Sequence, residues 1–127
     1  MCSIFTAFDD SYSQMNDITT ASILFAGVGL LYIALGIPLL RGRVKPNSWY
    51  GCRTQKTLSD ETVWYAVNRI TGRYLIVSGI LVIISSLIVF GLRSQMNSTQ
   101  AALILLVVLI SSVGMMVIKS LQAQKQF

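Results

Sequence analysis

Between Pro46 and Leu75 the chain gathers Trp49, Tyr50, Gly51, Cys52, Arg53, Thr54 and Thr57, then Trp64, Asn68, Arg69 and Gly72. Arg53 and Arg69 carry planar guanidinium forks suited to a phosphate or carboxylate. Asn68 can orient one of them, Thr54 and Thr57 offer hydroxyls, and Gly51 permits a close backbone approach. Such a set can form an anion site at headgroup depth. It can equally form an internal polar clasp whose members satisfy one another. A third use needs no site at all, because Trp and Tyr gather at membrane interfaces and Arg near helix ends snorkels to headgroups. The residues alone leave these readings open.

Enzymatic chemistry has less to stand on. The chain contains no His, so a metal site and a His-based acid or base lack their usual groups. Cys52 has no His to activate it and reads as a small residue in a tight Gly-x-Arg turn. Asp60 and Glu61, the carboxylates of this stretch, suit the start of a helix. No phosphate-binding Gly-rich loop is present. The expectation is a protein that is not an enzyme and uses no metal, nucleotide or redox cofactor.

The elements that hold these residues follow from composition. Of 127 residues, 54% are hydrophobic and 12% charged, and the mean hydropathy is +0.65, too little polar surface to wrap a soluble core. Three uncharged apolar runs, 21–40, 74–92 and 101–118, each hold about 18 to 20 residues, enough to span a hydrocarbon layer of roughly 30 Å. The first run has no basic residue before it and Arg-Gly-Arg after it, so it reads as a retained span and not a signal peptide. No repeat or linker divides the chain. The expected architecture is all-α: an external N-terminal segment, 1–20, then one membrane domain, 21–127, with three transmembrane helices and a structured cytoplasmic connector between the first and second. The N-terminal segment fits either a short interfacial helix or disorder.

Orientation rests on charge. Arg41, Arg43, Lys45, Arg53, Lys56, Arg69 and Arg73 lie between the first two runs, whereas residues 1–20 carry no Lys or Arg. The connector and C-terminus are therefore expected inside and the N-terminus outside. Cys2 and Cys52 then fall on opposite sides and cannot pair within one chain. The pI near 9.6 is accounted for by this topology and by anionic headgroups, without nucleic-acid binding.

Within the connector, Pro46, Asn47, Ser48 and Gly51 predict an irregular or hairpin-like stretch from Val44 to Gln55. Thr57, Ser59, Asp60 and Glu61 predict a helix start with a hydroxyl cap, running unbroken into the second span with Gly72 as its weak point. On that helix Trp64 and Asn68 share a face, as do Tyr65, Arg69 and Arg73, while Val63, Val67, Ile70 and Tyr74 form an apolar stripe. A folded-back turn is expected to dock through Arg53 on Asn68 and Arg69.

The string Pro46-Asn47-x-Trp49-Tyr50-Gly51-x-Arg53-Thr54-x-x-Thr57-Leu58, followed by Trp64 and Asn68-Arg69-x-x-Gly72, resembles the signature of the SdpI family of bacterial membrane proteins. That family is named for an immunity protein that protects a bacterium from a membrane-acting toxin made by its own kind. Larger members carry a further N-terminal membrane region, so the resemblance implies the C-terminal module alone. Cys52 stands where no fixed residue is expected. The resemblance implies a multi-pass protein of the bacterial cytoplasmic membrane. Its motif residues are Trp49, Tyr50, Gly51, Arg53, Thr54, Thr57, Trp64, Asn68, Arg69 and Gly72. Membrane lipids are expected partners, together with a toxin peptide or a cytoplasmic regulator. The competing class is a small carrier or channel component, in which several copies enclose a path. Gly27, Gly29, Ser78, Ser85, Ser111 and Gly114 would permit the close helix packing that a homo-oligomer or a compact monomer needs.

Overall fold

The computed structural model describes residues 2–127, with side chains from Ser3 onward; the Cys2 thiol lies outside the described side chains. Four helices form in chain order: α1 (Cys2–Leu40), α2 (Gln55–Ser59), α3 (Glu61–Gly91) and α4 (Ser98–Gln124). No strand occurs among the described residues, and α1, α3 and α4 are long and apolar enough to cross a membrane. The central helix is α3, which packs along both α1 and α4, while α1 and α4 touch each other far less.

Helix α1 differs from the expected outline. Residues 2–20, for which an interfacial helix and disorder were both open, are helical and continuous with the first span. At about 1.5 Å per residue its 39 residues reach about 58 Å, well beyond the hydrocarbon layer of roughly 30 Å. Ile4, Phe5, Phe8 and Tyr12 are exposed along the extension, and Ile18 is the first fully buried side chain, packed against Val89, Ala101 and Leu105. Pro38 falls in the last turn of α1, where the helix continues regardless.

The α1–α3 contact is made backbone to backbone. A Cβ placed on Gly29 would come within 2.7 Å of the Gly79 carbonyl oxygen, and one on Gly36 within 2.8 Å of the Gly72 carbonyl oxygen. From the other side, a Cβ on Gly72 would lie 2.5 Å from the Leu40 nitrogen. The two glycine pairs are antiparallel and seven residues apart on each helix, so they share one seam. Buried Ser22 and Ser86 continue the register by another seven. Small residues let helices approach where lipid offers no hydrophobic drive to press them together.

The small residues singled out in the sequence divide accordingly. Gly29 and Ser78 lie in contacts, and the Ser78 hydroxyl donates to the Ser112 carbonyl of α4 at 3.1 Å. Gly27 and Gly114 face open space, Ser111 is exposed, and the neighbours Ser86 and Ser112 are the buried members of their pairs. Gly36 and Gly79 were missed. Gly72, expected as a weak point, is where α3 meets the backbone of α1.

Ala at Gly72 or Gly36 should lower the thermal midpoint of helicity in detergent, at a cost of about 1–3 kcal/mol for overpacking. Gly27→Ala should leave the midpoint unchanged or raise it, by up to about 1 kcal/mol of helix propensity. Equal midpoints for Gly72→Ala and Gly27→Ala would contradict the seam.

Candidate functional site

The connector folds because each backbone turn in it has a local reason. Helix α1 ends in a Schellman motif: Arg43 N–H donates to the Pro38 carbonyl at 3.0 Å and Gly42 N–H to the Leu39 carbonyl at 3.1 Å, with Gly42 at φ +64°. The chain then presents the Val44 carbonyl to the indole N–H of Trp64, 2.8 Å away. Asn47 forms an Asx turn, its side-chain oxygen accepting from Trp49 N–H at 2.9 Å and Tyr50 N–H at 2.8 Å. The Arg53 guanidinium donates to the Ser48 carbonyl across the same turn.

Asn68 is the anchor. Its side-chain oxygen accepts from Cys52 N–H at 2.6 Å, and its amide nitrogen donates to the Trp64 carbonyl at 3.0 Å. Gly51, at φ +106°, lies so close that a Cβ there would collide with the Asn68 oxygen. Asn68 is 2% exposed, so these bonds replace water it has lost.

Thr54 and Thr57 form a capping box for α2, with Thr54 N–H donating to the Thr57 hydroxyl at 2.8 Å. The fully buried Thr57 lies within hydrogen-bond reach of the Cys52 carbonyl at 3.0 Å. Helix α3 starts one residue later with Asp60 as its cap, accepting from Thr62 N–H at 2.8 Å, so a carboxylate and not a hydroxyl holds that end. The C-terminal end of α4 closes the cap. The Thr54 hydroxyl donates to the Gln124 side-chain oxygen at 3.0 Å, Lys56 Nζ to the Gln124 carbonyl at 2.8 Å, and Gln124 Nε2 to Cys52 Sγ at 3.2 Å.

The ten motif residues therefore part ways. Gly51, Thr54, Thr57, Trp64, Asn68 and Gly72 are brought together as a polar clasp or its close-packed support. Trp49 is 89% exposed, Arg53 and Arg69 are exposed as well, and Tyr50 is half-buried. The expected docking of Arg53 on Asn68 and Arg69 is corrected: Asn68 takes the Cys52 backbone, Arg53 takes Ser48, and Arg69 lies beside Gly42 without a hydrogen bond or ion pair among the described residues. A neutral amide in that buried position avoids the desolvation of a guanidinium. The interfacial-belt reading fails for Trp64, which is fully buried and hydrogen-bonded. Val44, Asn47, Cys52 and Gln124 also take part; Asn47, in a Pro-Asn turn, and Cys52, in the Gly-x-Arg turn, left a signal in the sequence, whereas Val44 and Gln124 left none.

Next to the clasp is a cavity of about 330 Å³ lined by Leu39 of α1, Tyr50, Gly51 and Cys52 of the connector, Thr71 and Leu75 of α3, and Met116, Val117, Ser120 and Leu121 of α4. Thr71 and Ser120 hydroxyls are 2.8 Å apart and join α3 to α4 at its wall. The Tyr50 hydroxyl is buried without a partner among the described residues, and burial pushes its phenol above the ordinary value.

A clasp of this kind, at one end of three apolar helices, defines a membrane module with a folded connector. The family model of the SdpI/YfhL protein family matches residues 43–119, the connector from Arg43, all of α3 and most of α4, and the chain belongs to that family. No curated protein and no solved structure matches it.

Asn68→Ala should cost about 1–3 kcal/mol by leaving the Cys52 N–H buried and unpaired, read as a lower thermal midpoint in detergent. Arg53→Ala should stay within about 0.5 kcal/mol of the parent, as exposed positions do. Equal losses would place Arg53 in the clasp after all.

Proposed function

We propose that this chain is an SdpI-like integral membrane protein that protects a bacterial cytoplasmic membrane from a membrane-acting toxin peptide, by binding and not by catalysis. The observation that carries the reading is that the family match covers the connector from Arg43, all of α3 and α4 as far as Lys119, and so includes Trp49 to Thr57, Trp64, Asn68 and Gly72. The charge contrast supports a cytoplasmic connector and C-terminus, with Asp9, Asp10 and Asp17 outside. On the cap, exposed Trp49 and exposed Arg53, whose guanidinium holds the carbonyl of the preceding Ser48, offer an aromatic and a cation to a toxin peptide or a cytoplasmic regulator, residue types enriched in contact hot spots. The clasp supports this surface, since Asn47 fixes Trp49 N–H and Asn68 fixes Cys52 N–H on either side of it.

Expression in a toxin-sensitive bacterium, followed by challenge with a panel of membrane-active peptides, should give selective survival against one or a few of them. Asn68→Ala and Trp49→Ala should remove that survival with the protein still in the membrane, and Arg43→Ala should keep it. A carrier assembled from several copies would change solute flux and leave peptide sensitivity as it was. Uniform sensitivity with full expression would contradict the protective role. Orientation is checked by an impermeant thiol reagent in a Cys2→Ser background, where Cys52 should react only after permeabilisation.

A further inference from the structure

We propose that the cavity beside the clasp is a lipid site that holds the upper part of one phospholipid acyl chain, with its ester carbonyl accepting a hydrogen bond from the Tyr50 hydroxyl. Depth is the first reason. The cavity lies where all three apolar runs end together: Leu39, Leu75 and Val117 each stand one residue inside the end of their run. At that level a bilayer presents the ester-linked tops of its chains, between hydrocarbon and headgroups. Shape and lining are the second. About 330 Å³ falls at the small end of the roughly 300–1,000 Å³ of ligand sites, and Leu39, Leu75, Met116, Val117 and Leu121 give it an apolar wall.

Tyr50 supplies the third. Its hydroxyl has no partner among the described residues and, with no surface open to the cavity in this conformation, would meet an acceptor there by a turn of the side chain; left buried and unpaired it costs free energy. A lone water is a poor answer, because a buried water needs two to four polar partners. A peptide segment is also poorly served here. Its backbone N–H and C=O groups would each need a partner within an apolar wall. An ester carbonyl brings one acceptor, and its chain brings none of these demands. Seating the chain between α3 and α4 beneath Tyr50, Gly51 and Cys52 would join lipid to the same connector that Asn68 anchors.

The test uses the full-length protein, purified in a maltoside detergent, which has no ester. Native mass spectrometry after repeated detergent exchange should find one phospholipid retained by the parent. Val117→Trp, which fills the mouth from a residue 44% exposed, should retain none, and Leu121→Trp serves the same purpose if the first variant loses helicity. Tyr50→Phe should lower occupancy about fivefold, the effect of one hydrogen bond. In a Cys2→Ser background, added diacyl phosphatidylglycerol should slow alkylation of Cys52, and its ether-linked analogue should need about fivefold more for the same protection. Lipid lost in step from the parent and the Trp variants would overturn the proposal. So would Cys52 protection by a hydrophobic peptide but not by lipid. None of these readouts depends on a toxin, so failure here and failure of the protective role are distinguishable.

Discussion

The contact on which the rest of the structure depends is the approach of the α1 and α3 backbones at Gly36 and Gly72. It sets the end of α1 directly against α3, with Leu39 and Leu40 on the Gly72 backbone. Asn68 sits one turn before Gly72 on the same face of α3, and Trp64 one turn before that. Once α1 is this close, the Schellman turn at Gly42 delivers Val44 to the Trp64 indole and starts the connector back across α3. A side chain at Gly72 would push the helices apart and move every later contact.

The cap uses neutral groups where it is buried and charged groups where it is exposed. Asn68, Thr57 and the Trp64 indole meet backbone donors and acceptors, while Arg53, Arg69 and Arg43 remain at the surface. This division follows from cost. A buried amide exchanges water for protein at nearly even terms, whereas an unpaired buried guanidinium does not. The arginines of the motif thereby stay at the surface, Arg53 on the Ser48 carbonyl, and the clasp holds the connector that carries Arg53 and Trp49.

Much of this was legible in the sequence, for physical reasons that differ by element. Apolar runs announce spans because length and hydropathy are summed over many residues, and all three runs fall in helices long and apolar enough to span, with Leu92 alone left as the cap of α3. The shared face of Trp64 and Asn68 followed from helical spacing. What Asn68 binds was hidden, because its partner is a backbone N–H that every residue type supplies. Gln124 was hidden because it meets the connector only through the return of α4, some seventy residues along the chain. The inward member of Ser85–Ser86 or Ser111–Ser112 depends on the rotation of a helix, which an almost uniformly apolar surface does not reveal. The polar N-terminal extension likewise gave no sign that α1 would run on through it.

The central claim is that the connector is a folded cap held by Asn68 and not a solvated loop. Amide hydrogen exchange resolved by residue, in micelles, addresses it most directly. The Cys52 and Thr54 amides and the Trp64 indole N–H should exchange at rates comparable to the interior of α3, while the neighbouring exposed positions of the connector exchange quickly. Exchange at unprotected rates across residues 43–54, with α3 and α4 still protected, would contradict the account.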